Sequence, residues 1–209
     1  MRFFLVRHGQ TEWNDQKRVQ GHTDVHLDSR GKEQASLLGE ALSKEGIERI
    51  LTSDLMRAKD TAEIVGLRIG LPIELSSKLR ERSFVEWEGF TYEVFTGRFG
   101  ELTSSSDQDP HSVAPPGGES LMDLRQRLKE VAEDIVKRQK STLVVSHGGA
   151  CGILLCELLQ IPQSSTRKFR FDNAAITEIN FYRDGNRSLI RHNDSSHFLI
   201  AKTLSSTSP

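Results

Sequence analysis

Phe3-Phe4-Leu5-Val6-Arg7-His8-Gly9 sets an unbroken apolar run directly before a cation, a histidine and a glycine. A run of this kind reads as a buried strand over residues 2–7. The arrangement recurs far downstream as Thr142-Leu143-Val144-Val145-Ser146-His147-Gly148-Gly149. Continuous apolar character over 142–146 marks a central strand covered on both faces, as in a parallel sheet between helices. Two strands that each end in a histidine followed by glycine suggest one site assembled from both ends of the sequence.

Outward from these strands, apolar runs alternate with helical periodicity. Asp28 reads as the N-cap of a helix with Ala35, Leu38, Ala41 and Leu42 on one face. Residues 49–53 read as a second strand, 56–68 as a helix with Ala58, Ala62 and Val65 inward, and 72–75 as a short third strand. Residues 8–27 read as a polar loop. Leu121, Leu124, Leu128, Ala132 and Ile135 predict a helix over 119–140 with Ser120 as a cap, and 149–159 reads as another helix. Two late strands, 175–182 and 188–191, are joined by Asp184-Gly185, a good hairpin turn. The alternation predicts an α/β fold: a three-layer α/β/α sandwich with a mostly parallel central sheet and helices on both faces. We expect a single domain over 1–203, a lid-like, partly helical excursion at about 84–117, and a flexible tail at 204–209.

Composition narrows the function class. The chain has 209 residues, enough for one substantial core, with 36% hydrophobic and 27% charged residues. The formal net charge of −1 argues against a general nucleic-acid binder, which usually carries a basic excess. No stretch approaches the ~20 apolar residues that span a bilayer, and Arg7 and His8 interrupt the first apolar run too early for a signal peptide. A cytoplasmic protein is expected, with no membrane partner. Cys151 and Cys156 are five apart on a helix, point to different faces, and read as buried structural thiols.

In open α/β sheets ligands bind beyond the carboxyl ends of the strands. The residues there are Arg7, His8 and Gly9; Ser53, Asp54 and Arg57; Arg80, Glu81 and Arg82; and His147, Gly148 and Gly149. This set suits phosphoryl transfer. Arg7 and Arg57 would neutralise phosphate oxygens by bidentate hydrogen bonding and stabilise charge as it moves. A neutral imidazole can attack phosphorus to give a phosphohistidine. Glu81, if protonated, could give its proton to the departing alcohol and later take one from water. The glycines, Gly148 included, allow close backbone approach to phosphate, and the helix that follows would aim its amides at the anion. Arg-His-Gly alone is weak, since it turns up by chance in roughly one chain per 100 of this length. The other five histidines, His22, His26, His111, His192 and His197, lack an obvious pairing. No histidine–carboxylate set has zinc spacing, so no metal is expected.

Further segments fall in order along nearly the whole chain: Leu5 to Asn14, Gln20-Gly21, Leu27 to Gly31 with Gln34-Ala35, Ser53 to Ala58 with Thr61-Ala62, Leu79-Arg80-Glu81 with Trp87-Glu88-Gly89, Gly117 to Ser120, Ser146 to Gly149, Asn173, and Asn193 to His197. Together they resemble the histidine phosphatase superfamily, in the branch that includes cofactor-dependent phosphoglycerate mutase and its phosphatase relatives. The resemblance implies His8 as the phosphorylated nucleophile and Glu81 as proton donor. Arg7, Arg57 and His147 would complete the phosphate pocket, while Asn14, Gln20 and Gly21 would line it. It implies no bound cofactor, a small phosphorylated metabolite as partner, and a homodimer as the common assembly. Val85 departs from the pattern, because relatives with this Trp-Glu-Gly segment often have glycine there.

Both a phosphatase and a mutase would use the same phosphohistidine. A mutase needs a larger closed lid and a second cluster of cations for the substrate carboxylate. From Phe90 to Gly117 the chain has Glu93, Glu101, Asp107 and Asp109 against Arg98 alone, a poor second anion site. Arg80 and Arg82 could bind one carboxylate or phosphate. The expectation is a metal-independent phosphomonoesterase; a mutase, or a catalytically inactive phosphate-binding module, are the alternatives.

Overall fold

Side-chain alternation along the first strand decides which helices cover which face. In the computed structural model, which describes residues 1–107 and 109–199, β1 (Arg2–Arg7) sends Phe4 and Val6 to one face and Phe3 and Leu5 to the other. Next come α1 (Glu12–Asp15), α2 (Ser29–Leu42), β2 (Arg49–Thr52), α3 (Met56–Ile69), β3 (Ile73–Leu75) and α4 (Tyr92–Ser104). The chain continues with α5 (Leu121–Arg138), β4 (Thr142–Ser146), α6 (Gly148–Leu159), β5 (Ile176–Phe181) and β6 (Arg187–Asp194). The sheet order is β3-β2-β4-β1-β5-β6. β3, β2, β4 and β1 run parallel, whereas β5 pairs antiparallel with both β1 and β6.

One core layer packs Phe4, Val6, Ile50, Leu143 and Val145 against Leu38 and Leu42 of α2 and Ala58, Ala62 and Val65 of α3. The other packs Phe3, Leu5, Leu51 and Val144 against the inner faces of α5 and α6. This is the expected sandwich with helices on both faces and a mostly parallel sheet. Each large aliphatic or aromatic side chain so buried contributes about 1.5–3 kcal/mol. Local signals agree with the packing. Asp28 accepts from the Gly31 amide at the start of α2, and Ser120 and Asp123 form a capping box at the start of α5. Both cysteines are buried and free.

Short elements beyond those read from the sequence include a 3-10 turn at Ser77–Leu79 and the following two. Part of the expected polar loop is α1, closed by a Thr11–Asn14 capping box; four residues are too few to show a helical period. Residues Gln163–Lys168 form a 3-10 turn. The expected tail at 204–209 lies outside the described residues. Among those residues no helix is long and apolar enough to cross a membrane.

Candidate active site

Strands β1 and β4 are neighbours in register, with Arg7 opposite Ser146. The next residue of each is therefore a histidine at the same sheet edge. The His8 amide donates to Ser146 O (2.9 Å), and the two rings lie 5.3 Å apart. Both histidines are buried. Gly9 follows His8 where a Cβ would stand 2.5 Å from Gly31 O, so only glycine lets the loop meet the start of α2.

Hydrogen bonds assign the tautomers. His8 Nδ1 lies 2.7 Å from Gly9 O. A carbonyl only accepts, so Nδ1 carries the proton and Nε2 keeps its lone pair. Arg57 Nε donates to His147 Nδ1 (3.2 Å); His147 then carries its proton on Nε2, 2.9 Å from Ser53 Oγ. Burial, then Arg57, then Arg7 hold the His8 imidazole well below its ordinary titration range. His147 is lowered likewise by burial, Arg57, His8 and Arg7. Both rings are neutral at pH 7.

The cations are set by the backbone. Arg57 enters from the first turn of α3 and is buried. Its two terminal nitrogens donate to Thr23 O (2.9 Å) and Gly21 O (2.7 Å). Burial lowers its pKa to about 10, so it remains charged. Arg7 donates to Phe171 O (3.0 Å), and its buried Nε makes no hydrogen bond within the protein; a ligand oxygen would satisfy it. Half-buried Glu81 faces these groups. Its two carboxylate oxygens accept from the Arg82 amide (2.9 Å) and the Gly149 amide in the first turn of α6 (2.9 Å). A Cβ at Gly149 would stand 2.6 Å from Glu81 Oε1.

Arg7, His8, Gln20, Gly21, Arg57, Glu81, His147 and Gly148 share the walls of one cleft of about 650 Å³. Two expected members stand elsewhere. Arg80 is not brought to the cleft: its guanidinium pairs with both oxygens of Asp54 (2.7 and 2.6 Å) at the foot of α3. Asn14 lies behind His8. Its Oδ1 accepts from the Thr11 amide (3.2 Å) and from Asn173 Nδ2 (3.2 Å), and Asn173 also donates to His8 O (2.8 Å). His22 holds the main chain of the site, with Nε2 2.8 Å from Glu81 O. Among the described residues no group of three or more His, Cys, Asp or Glu side chains is placed to hold a metal.

One supporting residue, Arg127, escaped the sequence reading, and a second, Glu88, was read only as part of the Trp87-Glu88-Gly89 segment. Arg127 of α5 donates to Lys78 O (2.8 Å), Arg80 O (2.6 Å) and Glu81 O (2.7 Å), and pairs with Glu119 (2.9 Å). It clamps the segment that carries Glu81. Glu88 accepts from the His22, Thr23, Phe84 and Val85 amides, tying the 21–23 loop beneath Arg57 to the root of the excursion. Val85 there has φ +47°, the left-handed region that favours glycine. Beyond this root, α4 forms the outer wall of the cleft.

The family model of the histidine phosphatase superfamily (branch 1) matches residues 3–195. The chain is 32% identical over 181 residues to the "Probable phosphoglycerate mutase GpmB" of Serratia proteamaculans, covering 86% of this chain and 84% of that protein. A mycobacterial glucosyl-3-phosphoglycerate phosphatase, solved with VO3, superposes with a TM-score of 0.81 at 30% identity, covering 93% of this chain and 99% of the other. The alpha-ribazole phosphatase of Shigella flexneri gives 0.82 at 29% identity, covering 93% and 96%.

Proposed function

The chain belongs to the histidine phosphatase superfamily, and from that premise we propose that it hydrolyses a small-molecule phosphate monoester through a phosphohistidine on His8. The observation that carries the reading is the neutral, Nδ1-protonated His8 ring in a cleft shared with two arginines, His147 and Glu81. His8 Nε2 attacks phosphorus, the bond from phosphorus to the ester oxygen breaks, and Glu81 gives its proton to the departing oxygen. Arg7 and Arg57, with His147 held by Arg57, take up the negative charge on the equatorial oxygens. Water then gives a proton to the Glu81 carboxylate and attacks phosphorus. The bond to His8 breaks, and phosphate leaves with the ring restored. The protein's own cations carry the charge, so the reaction is read as metal-independent.

A mutase reading has one specific support, the names of the curated relatives. Incubation with 3-phosphoglycerate and a trace of the 2,3-bisphosphate separates the two. Rapid isomerisation with little free phosphate would overturn the hydrolase. Brief incubation with a 32P-labelled aryl phosphate should leave acid-labile label on the protein, absent in His8→Asn, and turnover should persist in EDTA. Label retained by His8→Asn would remove His8 from the role.

A further inference from the structure

Across the cleft from His8, His147, Arg7 and Arg57, one wall is a face of α4. Tyr92, Phe95, Thr96, Phe99, Gly100 and Thr103 all line it, the i, i+3, i+4, i+7, i+8, i+11 stripe of an amphipathic helix. In α2, α3 and α5 the corresponding stripe is buried in the core, yet no residue of α4 is buried. Its apolar face is presented to the cleft. Phe84 meets the Phe95 ring edge-on at 4.9 Å, and Phe99 stacks on Phe95 at 5.9 Å.

The threonine hydroxyls and Arg82 on this wall are already engaged, whereas the exposed Tyr92 and Arg167 side chains also line the cleft. The hydroxyls of Thr96 and Thr103 donate to carbonyls of their own helix, Tyr92 O (2.8 Å) and Phe99 O (2.9 Å). Arg82 donates to Glu119 O (2.6 Å) and Val113 O (3.0 Å), and its guanidinium lies over the rings of Phe84 and Phe99. The acidic residues of α4, Glu93 and Glu101, do not line the cleft. A polyhydroxylated leaving group would give up water here for few partners, which costs free energy. An apolar one would cover the part of this half-buried aromatic face that lines the cleft.

Building on the phosphatase reading, we propose that the preferred substrate is the phosphate monoester of a bulky apolar alcohol, one that packs against Phe84, Phe95 and Phe99, rather than of a small polyol. The test compares 3-phenylpropyl phosphate with propyl phosphate and glycerol 3-phosphate. All are primary alkyl esters, so leaving-group basicity differs little, and 4-nitrophenyl phosphate serves as the activated control. kcat/KM for the phenylpropyl ester should exceed that of the other two by at least about tenfold, the lower end of what one methylene contributes in an apolar pocket. In Phe99→Ala the ratio of phenylpropyl to propyl ester should fall by about tenfold, and Phe99→Leu should restore most of it. Equal or better turnover of glycerol 3-phosphate by the wild-type protein overturns this inference and leaves the phosphatase standing. Phosphate release from none of the four esters overturns the phosphatase reading itself.

Discussion

Replacing Arg127 by methionine keeps the length of the side chain and removes the clamp on the segment 78–81. Three carbonyls and the Glu119 carboxylate lose a charged donor. Hydrogen bonds to charged groups contribute about 1.5–3 kcal/mol each. The Arg127 side chain is 17% exposed and that of Glu119 23%, so water replaces much of what is lost. A net loss of about 2 kcal/mol is expected, lowering Tm by about 4–8 °C for a domain of this size. Opposed by desolvation, the Arg127 hydrogen bond and charge hold Glu119 below the usual carboxylate range. That contribution is present above the unfolded value near pH 4.3 and is lost as pH falls through the lower folded value. The stability gap between wild type and Arg127→Met should therefore narrow below about pH 4.3.

The kinetic signature is sharper. A misplacement of about 1 Å can cost on the order of a hundredfold, and His22 still holds the Glu81 carbonyl, so a loss of about tenfold is expected. It should fall on kcat/KM for alkyl phosphates, whose leaving oxygen needs the proton. kcat/KM for 4-nitrophenyl phosphate, which reports only steps through phosphorylation, should fall less than about threefold, because that leaving group departs without a proton. Steady-state kinetics on both esters beside a thermal melt decide the matter. Equal losses on the two esters would refute a positioning role for Arg127 through Glu81.

His8 should titrate well below pH 6.5 by NMR, and Arg57→Gln should raise its pKa, since a nearby cation disfavours the imidazolium; an unmoved titration would show that Arg57 does not set it. In the proposed mechanism the neutral ring attacks, so kcat/KM should hold as pH falls to 6.5 and decline only on further acidification. Gly31→Ala places a Cβ 2.1 Å from Gln10 O, so backbone must shift at a cost of about 1–3 kcal/mol, readable as a lower denaturant midpoint. Arg80→Ala should change kcat/KM by less than about threefold and stability by about 1 kcal/mol, the upper end of the range for surface ion pairs, since the pair is half-buried and bidentate; a loss above tenfold would bring Arg80 back to the substrate.

Strands β1 and β4 were legible because they carry unbroken apolar runs, and helices α2 and α5 because they carry capping residues at Asp28 and Ser120. The pairing of His8 with His147 was legible because both follow such strands. Arg80 was misplaced for an identifiable reason. A strand end places a backbone but does not aim a side chain, and Asp54, equally eligible for the cleft, captured the guanidinium. Arg127 was invisible because its partners are main-chain carbonyls about 50 residues earlier, which leave no mark on side-chain periodicity. Val85 was flagged only as a departure from a family pattern; its positive φ shows what glycine would relieve.

The adjacency of β1 and β4 also governs when the proposed phosphate site can first form. Their partnership joins Phe3 to Thr142 and Arg7 to Ser146, so the contact between His8 and His147 closes a loop of most of the chain. Nothing emerging from the ribosome before β4 can hold more than scattered pieces of the cleft. Such long-range pairings are slow to form. Affinity for an oxyanion would therefore arise only once this closure is made, and its recovery during refolding times the docking of the two strands.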